Sequence, residues 1–112
     1  MQAVIRVEGL PHAALDAAGV FHAEHLQRAR AALAGKVDAL ALVFPEAPYD
    51  HAGWRRAVVA DLARAAAPKR VNAVAGSDPD AIDEALSWLE QAPGITGQLL
   101  PVDGTGAGNP AL

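Results

Sequence analysis

The sequence predicts an α/β fold: a parallel sheet of about four strands with about three helices, in the order β-α-β-α-β-α-β. Three observations carry this. Short apolar runs alternate along the chain with longer stretches of helical periodicity. The clearest run, 37–44 (VDALALVF), is apolar at nearly every position, as suits a strand covered on both faces. Helix start and stop signals stand at the boundaries, most plainly Asp78-Pro79 and Pro93-Gly94.

Four runs read as strands: Ala3–Val7, Val37–Phe44, Val71–Ala75 and Gln98–Val102. The first helical pattern covers roughly His22 to Ala34, where Leu26, Ala29 and Leu33 repeat every three to four residues and Gly35 is placed as a C-terminal cap. Leu10 to Val20 is ambiguous and reads at most as a separate short helical turn. The second pattern runs from about His51 to Ala66, with Asp50 as its N-cap and Pro68 as its stop. Its apolar stripe is Trp54, Val58, Leu62 and Ala65, which places Arg55, Arg56, Asp61 and Arg64 in water. In the third, Asp78 caps, Pro79 takes the first helical position, and Ile82, Ala85, Leu86 and Leu89 form the buried stripe.

The 112 residues suffice for one domain, 1–104, followed by a small polar tail, 105–112, expected to be flexible. Hydrophobic residues at 52% and charged residues at 20% exclude a disordered class. Alanine supplies much of that apolar share, so the large anchors are few: Phe21, Phe44, Trp54 and Trp88. A net charge of −4 argues against nucleic acid or an anionic membrane as the main partner. No cysteine is present, which excludes disulfides and thiolate chemistry and fits a reducing cytoplasm. Neither a signal peptide nor an apolar stretch of the ~20 residues that a membrane span needs is seen.

Three helices can hardly cover both faces of a four-stranded sheet. Right-handed crossovers laid down in one direction put every helix on one face unless the last crosses over. Either arrangement leaves apolar surface to a second chain, so an oligomer is expected.

The stretch 69–104 resembles the closing β-α-β segment of the short-chain dehydrogenase/reductase family. RVNAVAG at 70–76 is similar to the family's late strand, RVNAVAPG, without the proline; 81–89 (AIDEALSWL) resembles its last large helix; and ITGQLLPVDG at 95–104 matches its closing TGQ…VDG strand. Earlier, 35–43 (GKVDALALV) resembles the family's G-x-ID-x-LV strand and 50–58 (DHAGWRRAV) the D-x-W helix entry. The resemblance implies a small Rossmann-like sheet. It also implies an interface, because in that family the last helix and the closing strand pair across a twofold axis with the same elements of a neighbour. Here that interface comprises Ile82, Leu86, Trp88 and Leu89 on the helix with Gln98, Leu99, Leu100 and Val102 on the strand, where Pro101 suits an edge position.

The departures concern chemistry. The family's glycine-rich turn, which holds a dinucleotide pyrophosphate, is replaced after the first strand by Glu8-Gly9-Leu10-Pro11-His12, and its NNAG by Val43-Phe44-Pro45-Glu46. The lid after the late strand is replaced by Gly76-Ser77-Asp78. Tyr-x-x-x-Lys, which carries proton transfer, is missing: Tyr49 is the only tyrosine and has Gly53 four residues on. No catalytic, cofactor-binding or metal residue is therefore assigned, and no cofactor is expected.

Other constellations have plain readings. His22 and His25, near Glu24, lack a third metal ligand at a diagnostic spacing and read as a solvated helix surface. Asp78, Asp80, Asp83 and Glu84 suit a helix N-terminus. Arg55, Arg56, Lys69 and Arg70 read as separate solvated charges, or as a basic patch for a phosphate or CoA-type ligand. Asn72 and Thr96 read as structural polar residues.

The resulting expectation is a non-catalytic, cytoplasmic short-chain dehydrogenase/reductase-like protein that works by oligomerisation, as a homodimer or as an accessory subunit of a full-length dehydrogenase. Two alternatives remain. One is an NAD(P)-linked oxidoreductase subunit completed by another chain; the other is a module binding a nucleotide or acyl-CoA at the carboxyl ends of the strands, near Phe44-Pro45 and Gly76-Ser77.

Overall fold

The computed structural model describes residues 1–103; the expected tail lies outside the described residues. Four parallel strands form one sheet in the order β1 (Gln2–Arg6), β2 (Ala39–Phe44), β3 (Arg70–Ala75), β4 (Leu99–Pro101). Val4 pairs with Ala41, Ala41 with Asn72, and Val74 with Leu100, so these residues share one face of the sheet. All of β2 is buried, as its unbroken apolar run requires of an inner strand.

Between β1 and β2 the chain forms α1 (Ala14–Val20), a π-helical turn (Phe21–His25) and α2 (Leu26–Leu33) as one continuous rod. The ambiguous stretch before Val20 is thus mostly helix. Its buried residues, Ala17, Phe21, His25 and Ala29, recur at every fourth position. On a regular helix such a stripe drifts by about 40° per step. The wider π turn takes up this drift and keeps the stripe on the sheet.

A 3₁₀ turn (Tyr49–His51) leads into α3 (Ala52–Ala66), and Asp50 makes no cap hydrogen bond there. In α4 (Pro79–Glu90), Asp78 does cap: its Oδ1 accepts the Asp80 N–H at 3.2 Å, with Pro79 in the first turn. Lys69 and Arg70, read from the sequence as solvated charges or part of a basic patch, turn back onto helix ends. Lys69 donates to the carbonyls of Leu33 (2.6 Å) and Gly35 (2.9 Å) beyond α2, and Arg70 to those of Leu89 (2.9 Å) and Ala92 (3.2 Å) at the end of α4.

The helices divide between the two faces. The α1–α2 rod and α3 cover one, where Phe21, Val58, Val59 and Leu62 meet Leu40, Leu42, Phe44 and Val71. Alone on the other, α4 sets Ile82, Leu86 and Leu89 against Ala41, Val43 and Val74. Because the strands advance in one direction while the helix changes face, the last crossover is opposite in hand to the first two. With those two right-handed, as nearly all such connections are, the last is left-handed. A single helix does not reach across four strands. On its face β1 is left partly open, and Val4 is 42% exposed.

The entry to β4 is built by two polar side chains. Buried Asn72 accepts the Gln98 N–H and donates to the Ile95 carbonyl, both at 3.0 Å. Thr96 Oγ1 accepts the Val71 N–H at 3.0 Å, and the Gly97 N–H returns to the Val71 carbonyl at 2.7 Å. Gly97 does this at φ +78°, a conformation that favours glycine. The NAVAG and ITGQ segments are thus one hydrogen-bonded unit, which gives Asn72 and Thr96 the structural role expected of them.

Candidate functional site

The parallel strands carry their chain ends to one rim. Beyond Phe44, Ala75 and Pro101 lies a crevice of about 250 Å³, lined among others by Pro48, Arg55, Arg56, Gly76 and Val102. Behind the crevice, in contact with Arg55 of its lining, an aromatic group is packed: Phe21, Phe44 and Trp54 stand 5.7–5.8 Å apart, centroid to centroid. His51 ties this rim together. It donates from Nε2 to the His12 carbonyl at 2.9 Å, fixing the loop after β1, and accepts the Trp54 indole N–H at Nδ1 (3.3 Å).

Arg55 is the main departure from the sequence reading. Expected in water, it is 4% exposed. Its guanidinium lies 4.6 Å from the Phe44 ring centroid and 5.7 Å from that of Trp54. Nη1 donates to the Pro45 carbonyl at 2.8 Å, while Nε is buried with no hydrogen-bond partner. The ion pairs among the described residues are Met1–Asp38 and Arg64–Asp61, so Arg55 has no acid against it. Burial pushes the guanidinium below its ordinary pKa. One signal could have found it: His51, Arg55, Val58, Val59 and Leu62 hold the i, i+4, i+7, i+8, i+11 spacing of a single buried stripe.

The basic patch is not assembled. Arg55 and Arg56 stand at the carboxyl end of the sheet, whereas Lys69 and Arg70 are engaged with helix ends at the amino end. Tyr49 is 91% exposed beyond the carboxyl end of β2, and Lys36 precedes its amino end, so a strand of about 20 Å separates phenol from ammonium. His25 is buried on Phe21 with Nδ1 accepting from Arg28 at 2.8 Å, in place of the solvated position expected; His22 is exposed. Among the described residues no group of three or more metal-ligating side chains converges.

The expected interface residues separate into two sets. Ile82, Leu86 and Leu89 lie beneath α4 in the chain's own core, with Leu100 and Val102 packed against them, while Leu99 belongs to the core of the opposite face. Gln98 and Trp88 are exposed, Trp88 by 54%. Glu90, on the flank of α4 toward β1, accepts the Gln2 N–H at 3.3 Å. Two residues back, about 160° around the helix, Trp88 lies on the opposite flank, toward β4. Being last in the sheet order, β4 has an open edge among the described residues.

A larger hollow, about 680 Å³, separates α2 from α3 away from the crevice. Leu26, Leu33, Val58 and Leu62 line it, and of the charges on its border Asp61 is paired with Arg64 and Lys69 with carbonyls. No helix among the described residues is long and apolar enough to cross a membrane.

Residues 5–102 match the family described as SDR-like, short chain dehydrogenase-like protein. Neither the curated proteins nor the solved structures gave a match.

Proposed function

The chain belongs to the SDR-like, short chain dehydrogenase-like family, and we propose that it works by association with a second chain and carries out no hydride transfer of its own. One observation carries this reading: Trp88 stays 54% exposed on the flank of α4 that faces the open edge of β4. The rest of the apolar stripe of α4 is used internally, so this indole is surplus to the fold of one chain. A second copy, or a full-length dehydrogenase subunit, would pair along β4 and cover Trp88. Val102 and Gln98 flank that edge and belong to the contact, whereas Ile82, Leu86 and Leu89 support it from below.

The non-catalytic part of the reading is supported by the separation of Tyr49 from every lysine and by the single glycine, Gly9, after β1. A cytoplasmic location is proposed with it, on the absence of cysteine. Size-exclusion chromatography with light scattering tests the association, on the chain alone and mixed with a full-length dehydrogenase of the same family. A dimer or a mixed complex that Trp88→Ala weakens is expected. A wild-type chain that stays monomeric and co-elutes with nothing, or that oxidises NADH unaided, refutes it.

A further inference from the structure

We propose that the crevice at the carboxyl ends of the strands is a binding site for a short monocarboxylic acid, whose carboxylate pairs with the guanidinium of Arg55. This goes beyond the association reading and does not depend on it. A buried guanidinium without a counter-charge is costly, because desolvation is not repaid by an ion pair. Arg55 is in that state: 4% exposed, with one bond to the Pro45 carbonyl and an unpartnered Nε. The two aromatic rings beside it hold the planar fork in place, an arrangement suited to bidentate recognition of a carboxylate.

Size and charge narrow the class. At about 250 Å³ the crevice holds roughly eight water-sized atoms, taking about 30 Å³ for each. Ala75, Leu99, Pro101 and Val102 give it an apolar wall for a short alkyl body. Its charged lining is balanced: Arg55 and Arg56 against Glu46, which accepts from Ser77 Oγ at 3.5 Å, and Asp103. The guanidinium of Arg55 attracts one carboxylate locally, while the acidic groups of the same lining disfavour the further negative charge of a dianionic phosphate or a polyphosphate.

The test uses sodium pentanoate, with inorganic phosphate and 1-pentanol as comparison ligands. Nitrogen-15 NMR of the wild-type chain follows the Arg55 Nε–H directly, and calorimetry gives affinities. Pentanoate is expected to shift that resonance saturably, phosphate and pentanol to leave it in place, and Arg55→Met to bind pentanoate at least about tenfold more weakly, as loss of a charged hydrogen bond implies. Arg55→Met keeps the side-chain length and removes an unpaired buried charge, so its fold is expected to hold. An Arg55 Nε–H unmoved by millimolar pentanoate, equal binding by the variant, or tighter binding of phosphate would each overturn the proposal. The NMR arm decides the matter even if the variant does not fold.

Discussion

A β-carbon on residue 76 would lie 2.1 Å from the carbonyl oxygen of Val102: Gly76 and the exit of β4 touch backbone to backbone. The strands meet there because the Gly76 N–H donates to the Phe44 carbonyl (3.2 Å) and the Val102 N–H to that of Ala75 (2.8 Å). A methyl group cannot be accommodated by a side-chain movement, since the obstacle is main chain. Gly76→Ala is therefore expected to cost about 1–3 kcal/mol, the usual range for overpacking. Urea unfolding measures it, and hydrogen exchange should show the loss concentrated in β4. Unchanged protection of the Val102 amide would count against this contact.

Asn72 does for β4 what a further strand residue would do. Truncating it to alanine strands the Gln98 N–H and the Ile95 carbonyl, both now satisfied at 3.0 Å. Since an orphaned buried polar group costs about 1–3 kcal/mol, Asn72→Ala should lower stability by about 2–3 kcal/mol. Thermal or urea denaturation reads this. A loss under half a kilocalorie would mean that water replaces both partners.

Two neighbouring positions on α4 should respond in opposite ways. Leu86 is packed on Ala41, Val43 and Val74, so Leu86→Asp buries a charge without a partner and should unfold the chain, at a cost above about 3 kcal/mol. Trp88 supports little within a single chain. Trp88→Ala should leave monomer stability within about 0.5 kcal/mol yet move the mass seen by light scattering toward one chain. Were Trp88→Ala to unfold the protein, the indole would belong to the core and the association surface would lie elsewhere.

The sequence made the four strands, the Asp78-Pro79 start of α4 and the structural role of Asn72 legible, because each rests on local chemistry: an apolar run, a cap, a short polar side chain between strands. Three features were not legible, for different reasons. The α1–α2 rod was read too short, since two of its four buried positions are alanine and they repeat every fourth residue in place of the three-and-four alternation that marks a helix. Arg55 was placed in water because a guanidinium reads as polar even where it falls on the buried stripe. The face chosen by α4 depends on how 70–103 packs as a whole, and no residue within it encodes a crossover's hand. The interface reading met the same limit: Ile82, Leu86 and Leu89 are apolar whichever surface they cover.

Asp38 gives the fold a pH dependence of known sign. The amino group of Met1 donates to its Oδ1 at 2.7 Å, and this hydrogen bond, aided by the same positive charge and by Arg70, holds the carboxyl below its ordinary pKa. A carboxyl with a folded pKa below its unfolded one contributes stability above the unfolded value, near 3.9, and loses it as pH falls through the folded value. The wild type should therefore exceed Asp38→Asn in thermal midpoint at pH about 6, and the two should converge toward pH about 2. The side chains are exposed, so the difference should be small and shrink in high salt. Carbon-13 titration of Asp38 gives the folded value directly. A difference that persists unchanged at the acid end would place the variant's defect in the backbone bonds of residue 38, to Met1 and Arg70, and not in its charge.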